Sequence, residues 1–223
     1  MENSHIVSRF DETFDKLKTN ILNMGAEVSA QMEKATEALH DYDADAVAAL
    51  IAADRRINRM NKDIYARAER LIALRQPMAL DLRQALSPIN IAGELERIGD
   101  HAKSTAKRTR RLEGHTPDSE SMTIARQMSD MTRDMLGVAL HAYADSDIDL
   151  AAEVRVRDRE VDALNKEVFA KAIVGGQNSP DQMEAYLHVV LLARGFERAG
   201  DHVVNIARHV HQIVTGIDLK AAV

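Results

Sequence analysis

Cysteine is absent from the chain, so neither a disulfide framework nor a thiolate metal site is possible. Proline (4) and glycine (10) are scarce in 223 residues and aromatics reach only 4%, a balance that favours long helices over a sheet. Basic residues do not predominate: the formal net charge is −6, which argues against the broad basic footprint of a general nucleic-acid binder. No apolar stretch approaches the ~20 residues needed to cross a bilayer. Met1-Glu2-Asn3-Ser4-His5 has no positive region leading into an apolar core, so no secretory signal is expected. The chain is expected to be cytoplasmic and to meet a membrane only indirectly, through partners. What remains is an ordinary globular composition, 45% hydrophobic and 29% charged.

The sequence states one acidic word twice, as Glu96-Arg97-Ile98-Gly99-Asp100-His101 and Glu197-Arg198-Ala199-Gly200-Asp201-His202. Upstream, Asp54 to Ala66 aligns with Asp158 to Ala170. The copies are offset by 104 residues upstream (54 to 158) and by 101 at the acidic word (96 to 197), as a small length difference in one connection would give. An internal duplication of this length predicts two similar halves, 1–113 and 118–223.

Period and punctuation predict six helices. Phe10, Phe14, Leu17, Ile21, Met24 and Val28 form the stripe of the first, which closes near His40–Asp45 in a polar turn that also caps the second. The second runs to Arg75 before Gln76-Pro77. The third covers roughly 78–112, with a kink or a break expected at Pro88. Glu113-Gly114-His115-Thr116-Pro117-Asp118 is the boundary between halves. The fourth helix extends to about Ala144, the fifth ends at Gly175-Gly176-Gln177-Asn178, and Ser179-Pro180 opens the sixth with serine as cap. The fold class is all-α: two tandem, homologous three-helix bundles.

Polar residues interrupt the apolar seams of these helices. Val47, Leu50, Asp54, Ile57, Asn61, Ile64, Ala68 and Leu71 share one face of the second helix; Val154, Asp158, Val161, Asn165, Val168 and Ala172 share the matching face of the fifth. Glu96 and Glu197 sit in the seams of the third and sixth, each followed four residues on by Asp100 or Asp201. With Asn58 and Asp162 four residues after Asp54 and Asp158, each half can converge four oxygen-bearing side chains from two adjacent helices. An unpaired buried carboxylate costs several kcal/mol, so such groups are paired, protonated or bound to a cation. Oxygen ligands suit iron, manganese, zinc, magnesium or calcium. The plainer alternative is a solvated acidic face with Arg97 and Arg198 beside it, or a polar packing network. Gly99 and Gly200 leave room beside the acids for close approach. His101 and His202, about 100° around the helix from the preceding acid, are expected off the ligand face. Lys103, Lys107, Arg108, Arg110 and Arg111 are expected to be solvent-exposed charges near a helix C-terminus.

The two acidic words, the second continuing His-Val-Val-Asn-Ile-Ala, resemble the signature of the PhoU family of phosphate-specific transport system accessory proteins. Arg75-Gln76-Pro77, Asp81-Leu82-Arg83 and Met24-Gly25 add to the resemblance, which spans about residues 5–217 in order. It implies two tandem three-helix bundles, a homodimer and a negative regulator of the phosphate-starvation response. The implied partners are the ATPase subunit of the phosphate ABC transporter and a sensor histidine kinase. It also implies multinuclear iron or zinc sites at Glu96 and Asp100, Asp158 and Asp162, Glu197 and Asp201, with Asp54. Asn58 departs from the acidic motif, so the first site is expected to bind metal more weakly. Two other classes compete with this adaptor: a carboxylate-bridged metal-dependent hydrolase or oxidase, and a metal-free helical scaffold. The Glu-x-x-His element of di-iron bundles is missing, and no nucleophile–base arrangement is visible, so no enzymatic activity is expected.

Overall fold

The computed structural model describes residues 2–113, 117 and 119–218, with side chains from residue 12 onward. Six helices follow in order: α1 (Glu2–Glu37), α2 (Ala44–Arg75), α3 (Ala79–Leu112), α4 (Glu120–Asp145), α5 (Ile148–Asn178) and α6 (Met183–Thr215). They form two tandem three-helix bundles, as the repeat requires. The bundles are joined broadside, α1 packing on α4 and α3 on α6, and one buried apolar cluster runs through both. No strand occurs among the described residues.

Local chemistry fixes the helix ends. Asp43 accepts hydrogen bonds from the Asp45 and Ala46 amides at the start of α2; Asp147 does the same for Asp149 and Leu150 at the start of α5. α1 stops at Glu37, slightly before the predicted turn. The boundary turn largely lies outside the described residues, Glu113 and Pro117 excepted. Ser179 makes no side-chain capping bond: a short 3-10 turn, Pro180–Gln182, intervenes before α6. The break considered at Pro88 does not occur. Proline leaves the Gln84 carbonyl without its helical donor, and the Ser87 hydroxyl donates to that oxygen at 3.0 Å, so α3 runs on without interruption.

Apolar seams meet at the centre, with Ile21, Met24, Ile57, Ile64, Ile91, Leu95, Met128 and Met135 fully buried. Each such burial contributes about 1.5–3 kcal/mol. Between the bundles, the Thr36 and Ser129 hydroxyls share a 2.6 Å hydrogen bond from α1 to α4. Gly25 of α1 faces Leu140 of α4, and a Cβ there collides with the Leu140 side chain. Gly25→Val is therefore expected to cost about 1–3 kcal/mol through overpacking, read as a lower urea midpoint.

Candidate functional site

The four seam acids form two unlike clusters. In the first repeat Asp54 is 2% exposed on α2. Its Oδ2 accepts from Lys103 Nζ on α3 at 2.7 Å and from Asn58 Nδ2 at 3.0 Å, while Oδ1 has no partner. Lys103 Nζ also lies 3.8 Å from Asp100 Oδ1. Burial, followed by the charge of Asp100, pushes the Glu96 carboxyl above its ordinary range. Lys103 is thus a built-in counter-ion reaching across two helices, not the free surface charge expected from the sequence. Its own pKa is raised, chiefly by the hydrogen bond to Asp54.

The second repeat lacks that cation. Val204 stands where the first repeat has Lys103, and Asp162 where it has Asn58. Asp158 is pushed up to about 6 by burial and by the charges of Asp162, Asp201 and Glu197, with Arg208 opposing. Glu197 is likewise raised, mainly by burial; Arg194 Nη1 holds its Oε1 at 2.6 Å, and its Oε2 is buried without a partner. The arginine that engages Glu197 is Arg194, on the rim, whereas Arg97 approaches Glu96 only to 3.9 Å. The glycines do what their position suggested. A Cβ at Gly200 would stand 3.0 Å from Asp158 Oδ1, and one at Gly99 3.0 Å from Ile57 Cδ1, so each is a point of close helix approach.

A third polar group joins the repeats where α3 meets α6. His202 Nδ1 lies 2.7 Å from Glu94 Oε2 and Asn205 Nδ2 donates to the same oxygen at 3.3 Å. Burial works to raise the Glu94 pKa, but these hydrogen bonds and the neighbouring imidazoles prevail and lower it. The His101 and His202 rings sit 5.6 Å apart, and burial, then His202 and Arg198, take His101 down to about 4, so it is neutral at pH 7. Sequence reasoning missed Glu94: the second repeat has Gly195 in its place, so the duplication does not mark it, and only the packing of α3 on α6 gives it partners.

The PhoU domain family matches residues 21–109 and again 125–210. The chain belongs to the PhoU family. Among its relatives, the phosphate-specific transport system accessory protein PhoU homolog of Caulobacter vibrioides is 34% identical over 217 residues, covering 97% of this chain and 94% of that one. The Rhizobium meliloti homolog is 31% identical over 216 residues, 97% and 91% of the two chains. The crystal structure of PhoU from Pseudomonas aeruginosa superposes with a TM-score of 0.88 at 31% identity, covering 93% of this chain and all of that one. The phosphate transport system regulatory protein PhoU from Streptococcus pneumoniae gives 0.83 at 26% identity, over 94% and 99%.

Set against the metals implied by the PhoU resemblance, the clusters differ. The first does not fit: an ammonium already neutralises Asp54, and Asn58 removes one ligand charge. The second fits in donor chemistry, with four carboxylates, an unpartnered Glu197 oxygen, and no lysine in the place of Lys103, although Arg194 already pairs with the other Glu197 oxygen. Among the described residues no three His, Asp or Glu side chains are already gathered around one point. The second-repeat acids therefore line a surface between α5 and α6 rather than a closed shell.

Proposed function

We propose that this PhoU protein is a negative regulator of the phosphate-starvation response and of phosphate uptake. In this reading it is an adaptor between the ATPase subunit of a phosphate ABC transporter and a sensor histidine kinase. The observation that carries the reading is similarity over 97% of the chain to proteins named as phosphate-specific transport accessory proteins. Two features of the molecule support it. No helix among the described residues is long and apolar enough to cross a membrane, so contact with a transporter runs through protein surfaces. The second-repeat acids, Asp158, Asp162, Glu197 and Asp201, give the adaptor a cation site; iron, zinc, manganese or magnesium bound there would supply charge neutralisation. In the first repeat Asp54 and Asp100 pair with Lys103 instead, Asn58 donates to Asp54, and Glu96 stands beside them. We further propose that the protein works as a homodimer on the cytoplasmic side.

In cells lacking the gene, a phosphate-starvation reporter is expected to be active in high phosphate and to be silenced by the wild-type gene but not by Asp158→Asn/Asp162→Asn. Affinity capture from the same phosphate-replete cells is expected to recover both the transporter ATPase and a histidine kinase; recovery of neither would sink the adaptor. Phosphatase and oxidase assays of metal-loaded protein, expected to show no turnover, separate this reading from a carboxylate-bridged enzyme.

A further inference from the structure

The first repeat carries a groove that the acidic clusters do not use. It lies between α1, the turn after it and the first turns of α2, with a volume of about 750 Å³. α1 and α2 share a smaller contact than α4 and α5 do, which leaves this groove open. Its floor is apolar and small-sided, formed by Ala30, Ala38, Ala46, Ala49, Leu50 and Ala53. Its rim carries Glu27, Glu37, Asp41 and Asp43 with Lys34 and His40; Glu27 is paired with Arg56 at 3.4 Å, so the acidic edge is that of Glu37, Asp41 and Asp43. Behind the floor Gln31 is 3% exposed, and its amide oxygen lies toward Gly99 of α3, closed off from the groove. Small residues on both walls admit a helix closely, the apolar floor takes an apolar face, and the acidic rim selects flanking cations.

We propose that this groove receives an amphipathic helix of a protein partner, one with a small apolar face and basic flanks. A second copy of this chain is the competing occupant, which sedimentation separates from a partner's helix. The inference deepens the adaptor reading by naming the kind of element a partner inserts. Its test reads only binding at this groove, so its failure and that of the reporter assay are independent.

The test uses two stapled helical peptides of about 18 residues, five turns, with the same Leu/Ala face and either lysine or glutamate flanks. Both carry a fluorophore and a photoreactive group, and both are titrated against the full chain. The lysine peptide is expected to bind at least about tenfold more tightly than the glutamate peptide and to cross-link within residues 30–53. Ala49→Trp fills the groove from an exposed position and is expected to weaken binding about tenfold with far-UV circular dichroism unchanged. Equal binding of both peptides, indifference to Ala49→Trp, or cross-links at the α5–α6 acids would overturn the proposal. So would a change in sedimentation of the Ala49→Trp protein alone, which would make a second copy the occupant. A small molecule that co-purifies in the groove and blocks the peptide would also overturn it.

Discussion

Lys103→Ala is expected to destabilise the protein by about 2–3 kcal/mol. Lys103 is the cation of a carboxylate whose side chain is only 3% exposed, and its removal leaves that buried charge with the neutral Asn58 amide as a donor. Breaking a fully buried pair costs about 3–5 kcal/mol; the lower figure allows for Lys103 itself being partly open to water. For a chain of this size each kcal/mol moves the melting temperature by about 2–4 °C, so the variant should melt about 5–10 °C lower. Removing the stranded charge as well, in Lys103→Ala/Asp54→Leu, should restore most of the loss, because the cost lies in an unpaired ion rather than in missing volume. Manganese or zinc should also raise the melting temperature of Lys103→Ala, taking the place of the ammonium, with little effect at this site in the wild type. A loss under about 0.5 kcal/mol would mean that water, not Lys103, satisfies Asp54.

Asp158→Asn/Asp162→Asn should do the reverse and stabilise the metal-free protein at pH 7. Burial and three neighbouring carboxylates raise Asp158 to about 6, above its value in the unfolded chain. A carboxyl raised on folding favours the fold below the unfolded pKa and loses that contribution as pH rises through the folded pKa. The metal-free wild type should therefore weaken as pH climbs through the ordinary carboxylate range to about 6, and the amide variant should weaken less, since it keeps the raised Glu96 and Glu197. Because Asp158 is half-buried, the gain at pH 7 is set at about 1 kcal/mol, or about 2–4 °C. A bound cation inverts the order: it takes the proton's place, stabilises the wild type in proportion to its concentration, and leaves the variant unchanged. Melting curves with chelator and with added manganese, at pH 5 and pH 7, give all four comparisons. A variant less stable than wild type in chelator would contradict the assigned repulsion.

Much of this architecture is legible in the sequence. The duplicated acidic words locate the two helix pairs, and of the three-four seam Val47, Leu50, Asp54, Ile57, Asn61, Ile64, Ala68 and Leu71 all are buried except Asn61, which is half-buried. The caps at Asp43 and Asp147 follow from residue type alone. Pattern fails where a partner arrives from another helix or another side chain intervenes. Pro88 suggests a break, and only the Ser87 hydroxyl on the Gln84 carbonyl shows why none forms. Lys103 reads as one of five basic residues near a helix end, and its role depends on α2 lying within reach of a lysine stem. One signal was present: it occupies the same helical face as Glu96 and Asp100, and the second repeat replaces it with valine. The unpaired amide of Gln31 leaves no trace in a single sequence, because glutamine in an amphipathic helix ordinarily faces water.

The central claim is that two homologous acidic clusters have diverged, one closed by its own lysine and the other open to a cation. Elemental analysis of untagged protein purified without chelator tests it most directly, comparing wild type, Asp54→Asn and Asp158→Asn/Asp162→Asn. The account predicts iron, zinc or manganese at near-stoichiometric levels in wild type and Asp54→Asn, and none in the double variant. Metal lost equally from Asp54→Asn, or absent from the wild type, would contradict it.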